Sequence, residues 1–403
     1  MDKDLAVNNL TKKSANVLIS LLIMLLCIQP ALAWGGLTHY SINRDANNDS
    51  VDELSAAVAP DALQDLNYGF NDLDVFVHQE LPGVLYGPLD VSLYNVSNGP
   101  SQELWARGWM THTTADRTSH GTYLTGSAYQ DPQNYLSAAG ASDTLLAHIE
   151  AEFGGDILSY WFHQGTIPEE FVVYPDQIGE AFVDYAVYGT NYSEEYDSSQ
   201  YLEAYESLQA AILTEQKIID ARQDKKPQFS DWAFLIWAYY SYNEPYNIYY
   251  NFAVDNVTSA TFSSSLLPSG SALSQNTLFS SVSVDKMKKH SAEYVEIKME
   301  IGAKLIDDGL IVPHKNTKNG AVVIDFEQTV SDKELAKAYE QCLEESYQKH
   351  TGKKVKILDE IKSKRKNISI RDVEKDYPDL YQKLIENGII EKDKIDNKQK
   401  NKT

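Results

Sequence analysis

Cysteine is almost missing from this chain: its 403 residues include two, Cys27 and Cys342. Cys27 lies in an apolar N-terminal run, so removal of that run leaves a single thiol. This excludes an intramolecular disulfide framework and argues against thiolate ligation of zinc. Basic residues are scarce over most of the length. From Trp34 to Val284 there are 7 Lys and Arg against 33 Asp and Glu, whereas Asp285 to Thr403 holds 25 against 23. An acidic globule repels polyanions at long range, which counts against nucleic acid or an anionic membrane surface as partner, although a bound metal cluster inverts the charge locally. Long apolar stretches are lacking too. The one candidate, Val17 to Ile28, is shorter than the ~20 residues a spanning helix prefers. The chain has no internal repeat, no P-loop and no nucleophilic serine set between glycines.

The N-terminus instead has the parts of a secretory signal. Lys12 and Lys13 precede the apolar run, and Gln29-Pro30 and Ala31-Leu32-Ala33 follow it. A basic region, a hydrophobic region of about a dozen residues and a small-x-small ending predict cleavage after Ala33 and a secreted protein that begins at Trp34. A free α-amino group there, with its adjacent carbonyl, can chelate a metal, and His39 follows in Trp34-Gly-Gly-Leu-Thr-His39.

From Gly108 to Leu124 the sequence sets His112, Asp116 and His120 at intervals of four. On a helix four residues advance about 400°, so the three side chains fall within about 80° of one another. His148 and Glu152 repeat the interval. Imidazole and carboxylate groups converging from helical faces suit zinc, which takes His nitrogen and Asp or Glu oxygen at roughly 2 Å. One such pair would read as ordinary helix-surface pairing. Two sets, in a chain with 9 His, favour the metal.

Taken with Trp34-Gly-Gly-Leu-Thr-His39, and with Phe153-Gly-Gly-Asp-Ile-Leu158 following Glu152, these motifs resemble the zinc-dependent phospholipase C family. Its relatives include the fungal single-strand-specific nucleases and the catalytic domain of glycosylphosphatidylinositol-specific phospholipase D. The three residues between Asp116 and His120 match the last of these branches; the bacterial phospholipases and fungal nucleases have five there. The resemblance implies an all-α fold, a multi-helix bundle around a three-zinc site. It also implies nine ligand residues: Trp34, His39, Asp74, His78, His112, Asp116, His120, His148 and Glu152, with Asp116 bridging two metals. Asp74 and His78 fill the family's Asp and His between the N-terminal His and the central helix, though closer together than is usual there, and Asp61, Asp65 and Asp72 stand as alternatives for the Asp. His163, in Tyr160-Trp-Phe-His, is left over and reads as a hydrogen-bonded core residue.

What the resemblance implies chemically is phosphodiester hydrolysis, with water activated by zinc, Asp74 as general base and Asp116 organising the metals. The expected substrate is a phospholipid, cleaved to diacylglycerol and a phosphorylated head group, with transient contact at the membrane surface. The alternatives are a zinc-dependent nuclease acting on single-stranded nucleic acid and a non-enzymatic secreted protein whose zinc is structural.

The expected organisation is a leader at 1–33, a phospholipase C-like catalytic domain at 34–262, a Ser-rich linker at 263–284, a charged, mainly helical region at 285–390 and a disordered tail at 391–403. Within it, 40–66 predicts one or two short helices broken by Asn43–Ser50 and Pro60. The aromatic run after Trp232 predicts a buried helix ended by Asn243-Glu-Pro245. Lys286–Gly309 predicts an amphipathic helix and Ala321–Phe326 a short strand. Ser331 and Glu334 form a capping box ahead of a further helix.

Overall fold

A computed structural model describes residues 34–46, 48–63, 88–120, 135–140, 144–163, 165–186, 196–221, 233–259, 282–358 and 370–386. Most of them are helical. The leader, Asp74 and His78, the Ser-rich stretch up to 281 and the tail lie outside this set.

Helix α1 (Gly36–Asp45) and helix α2 (Val51–Ala56) are separated by the polar loop expected there, and Pro60 opens a short 3₁₀ turn, Pro60–Leu63. Ser50 starts α2 by accepting the Glu53 backbone N–H, which satisfies one of the donors a helix start leaves over. Helix α3 (Pro88–Asn95) leads to α4 (Pro100–His120), the longest in this half. Pro100 suits the first helical position because its missing N–H has no partner to lose there. Trp105 and Trp109, four apart, bury one face of α4, each contributing about 1.5–3 kcal/mol or more as a large apolar side chain leaving water. A short turn of helix, α5 (Tyr135–Ala138), precedes α6 (Leu145–Phe162), whose start is capped by Thr144. Strand β1 (Phe171–Val173) and helices α7 (Pro175–Ala186), α8 (Ser198–Ala221) and α9 (Ala233–Ser259) follow.

Helix α9 departs from expectation. It runs through Pro245 instead of ending at it. Tyr242, Tyr246, Tyr249, Tyr250 and Ala253 are all buried on both sides of the proline, and that continuous apolar face outweighs the one backbone hydrogen bond the proline removes. The aromatic residues of this stretch serve helix packing: Trp237 and Tyr242 meet edge to face at 5.2 Å, and Tyr246 and Tyr250 stack at 5.1 Å.

Beyond the Ser-rich stretch come α10 (Val282–Asp307), strands β2 (Ile311–Lys318) and β3 (Ala321–Gln328), α11 (Asp332–Thr351), α12 (Ile370–Asp376) and α13 (Pro378–Glu386). Asn319 and Gly320 both take positive φ, 53° and 80°, the geometry that a two-residue hairpin turn requires. Ser331 and Glu334 form the reciprocal capping box of α11. Among the described residues the fold is therefore mostly helical with one small sheet, in the order β1-β3-β2 and antiparallel throughout.

That sheet joins residues from both sides of position 285. Phe171 of β1 pairs with Ile324 of β3, α10 lies along α8, and Ile297, Met299 and Ile301 join the same buried core as Leu37 and Leu158. The change of charge near residue 285 is a change of surface composition. The apolar side chains pack as one body across it.

Candidate metal centre

Three buried residues from two helices meet: His39 of α1 with His112 and Asp116 of α4. Asp116 presents one carboxylate oxygen to each imidazole, Oδ1 at 3.2 Å from His39 Nε2 and Oδ2 at 3.1 Å from His112 Nε2. The two rings stack at 4.1 Å with 19° between their planes. Asp61, from the 3₁₀ turn, brings its Oδ1 to 3.2 Å from the same His112 nitrogen.

The second ring nitrogen of His112 explains the orientation. Its Nδ1–H donates to the Ala57 carbonyl at 2.9 Å, which turns Nε2 toward the carboxylates. Metal-binding histidines are oriented in this way by a carbonyl or carboxylate behind them. Ala57 reaches that place because α2 crosses α4 at Gly108, one turn before His112. A Cβ at Gly108 would stand 2.1 Å from the Glu53 carbonyl oxygen. On the other side, the Trp34 indole donates to the Ala115 carbonyl at 3.0 Å, fixing α4 beside Asp116, and stacks on Tyr135 at 4.5 Å.

The group could hold a metal ion. His nitrogen and carboxylate oxygen are the donors zinc takes, and one such atom from each of the three residues lies within 4.8 Å of the others. The charges agree. Burial would raise the Asp116 carboxyl, but His112 and His39 outweigh burial and hold it well below the usual carboxylate range. Burial would lower His112, but Asp116 and Asp61 raise it well above its ordinary value. Burial together with His112 pushes His39 down.

His148 and Glu152 of α6 are buried and joined directly, Nε2 to Oε1 at 2.6 Å. Burial pushes the Glu152 carboxyl well above the usual range; Lys298 draws it down, while Asp156, Asp61 and Asp116 push it further up. The α6 pair thus lies within electrostatic reach of the α1–α4 group. Carboxylates gathered in a dry site are what a cation relieves.

No family model matches this chain, and no solved structure matches it. The chain is similar to an uncharacterized protein of Archaeoglobus fulgidus, 28% identical over 178 residues. Those residues are 40% of this chain and 50% of the relative, so the chain spans about half the relative's length.

Of the residues expected at the site, His39, His112 and Asp116 come together and the pair His148 and Glu152 forms nearby. Trp34 is buried beside them. Asp74, His78 and the side chain of His120 lie outside the described residues, as do Asp65 and Asp72. His163 is bonded through Nδ1 to Asp45 at 2.9 Å, hydrogen-bonded as expected, but it is half-buried and not part of the core. Asp61 was an alternative in the sequence and brings a second carboxylate to His112 beside that of Asp116. Asp156 was missed, although it continues the interval of four beyond His148 and Glu152. Lys298 carried no local signal at all.

Proposed function

We propose that the protein is a secreted zinc-dependent phosphodiester hydrolase of the phospholipase C type, acting on phospholipid. The observation that carries this reading is the buried meeting of His39, His112 and Asp116, one carboxylate oxygen facing each imidazole, a set of donors that would suit zinc. His39, His112, Asp116 and Asp61 would hold one part of a zinc cluster, and His148, Glu152 and His120 another. Trp34 would add its amine and carbonyl once the leader is cleaved after Ala33. Asp61 takes the place first given to Asp74, because it meets His112 directly. We keep three ions as the count and a phospholipase- and nuclease-like helical bundle as the fold family.

Zinc bound there supplies Lewis acidity, which lowers the pKa of water toward about 7 and neutralises phosphate oxygens. The protein's own part is to present imidazole nitrogens and carboxylate oxygens in a fixed geometry. His112 is kept in its productive tautomer by Ala57, and burial keeps bulk water from screening the charges. The acidic surface from Trp34 to Val284 favours a phospholipid over nucleic acid, since a polyanion would be repelled on approach.

A side-by-side assay of the zinc-loaded mature protein on phosphatidylcholine, phosphatidylinositol and single-stranded DNA tests the reading. Diacylglycerol release from a phospholipid is expected. Faster cleavage of DNA would move the protein to the nuclease branch, and a fully loaded protein inert on all three would make the metal structural.

A further inference from the structure

Away from the imidazoles, a second buried polar group joins the two halves of the chain. Lys298 of α10 places its Nζ 3.2 Å from Glu215 of α8 and 3.7 Å from Asp156 of α6, and all three side chains are within 3% of full burial. The ammonium also sits over the Tyr294 ring at 4.6 Å. Asp156 in turn accepts from both the backbone N–H and the hydroxyl of Thr38, each at 2.8 Å. Thr38 lies in the first turn of α1, immediately before His39.

That first turn is held from outside. Its N-cap residue, Gly35, has no side chain to accept a helix N–H; Asp156 supplies the carboxylate in its place, where the helix dipole also favours negative charge. Gly35 makes room for it, since a Cβ there would stand 2.2 Å from Asp156 Oδ2. Ser159, three residues on from Asp156, donates to the Thr38 hydroxyl at 2.9 Å. A hydrophobic replacement for a buried ion group often packs as stably as the ions do. It cannot accept two hydrogen bonds from Thr38, so the ionic version has a directional use.

We propose that Lys298 is a positioning residue for the metal centre: through Asp156 and Thr38 it fixes the start of α1 and so the place of His39 opposite Asp116. The charged C-terminal segment thereby completes a site whose metal ligands all lie before it. This rests on His39 being a metal ligand, as proposed above.

The test is a double-mutant cycle read by zinc affinity, measured in competition with a chromophoric chelator, on the mature protein. Thr38→Val, Lys298→Met and His39→Ala are made singly, and each of the first two is combined with His39→Ala. Thr38→Val and Lys298→Met are each expected to weaken zinc about 10–100-fold, the range for residues that orient ligands. In the His39→Ala background that loss should shrink to less than about threefold, well under one decade of affinity, while effects on thermal unfolding of the metal-free protein stay additive. An equal loss in both backgrounds would overturn the proposal, because a merely structural role acts whether or not His39 is present. Should Lys298→Met fail to fold, the cycle with Thr38→Val decides alone, since that isosteric change leaves the ion group whole. Should His39→Ala leave zinc binding intact, the metal reading of His39 falls, and this inference with it.

Discussion

Gly108→Ala is a one-methyl perturbation whose consequences follow from the crossing of α2 and α4. The added Cβ would stand 2.1 Å from the Glu53 carbonyl oxygen and 2.7 Å from Glu53 Cα. Both neighbours are backbone, so no side chain can swing away and α2 itself must retreat by about 1 Å or more to reach ordinary contact distance. Overpacking of this kind costs about 1–3 kcal/mol, and a backbone collision belongs at the upper end, near 3 kcal/mol. With an unfolding entropy of about 2.1 cal/mol/K per residue, a chain of 403 residues should melt about 4 °C lower. The retreat also carries Ala57 away from the His112 Nδ1–H, now 2.9 Å distant. Losing the group that orients a metal-binding histidine typically costs 10–100-fold in affinity, so zinc should weaken by about that factor. Thermal unfolding of the metal-free protein and zinc competition titration measure the two effects separately. A variant that melts lower yet binds zinc as tightly as the parent would refute the link between helix packing and His112.

Other expectations are equally specific. Asp61→Ala should lower zinc affinity at least ~10-fold, because Asp61 meets His112 directly, whereas Asp74→Ala should leave it unchanged; the reverse result would return the ligand role to Asp74. Burial, followed by Glu345, pushes the Cys342 thiol up to about 11, so its thiolate fraction at pH 8 is only about one in a thousand and it should alkylate with iodoacetamide at least ~100-fold more slowly than an unfolded thiol. The rate should climb roughly tenfold per pH unit from 8 to 10, and rapid labelling at pH 8 would place the thiol in solvent. Pro245→Ala should stabilise the protein by about 1–2 kcal/mol, since it restores a hydrogen bond within α9; a lower melting temperature would mean that the proline ring itself fills core space.

The fold was legible where local patterns decide it. The interval of four at His112, Asp116 and His120 located α4, the capping box located α11, and the Ala321–Phe326 run located a strand that the hairpin turn at Asn319 and Gly320 completes. Pro245 misled because its local penalty is set against an apolar face that only the packed helices reveal. The break in charge near residue 285 reports the surface alone, and apolar residues on either side of it pack together through β1, β3 and α10. At the site, His39, His112 and Asp116 were readable because their chemistry and spacing are unusual. Asp61 was harder, since a 3₁₀ turn has no period to single out one carboxylate among four. Lys298 was illegible: its meaning comes wholly from Asp156 and Glu215, 142 and 83 positions earlier in the sequence.

Zinc content tests the central claim most directly. Mature wild-type protein and Asp116→Asn, purified together and analysed by inductively coupled plasma mass spectrometry, should differ sharply. The wild type should carry close to three zincs per chain. The variant, which keeps one oxygen but loses the charge and the second donor facing the other imidazole, should lose two of them. A wild type with one zinc or none, or a variant with the full complement, would contradict the account.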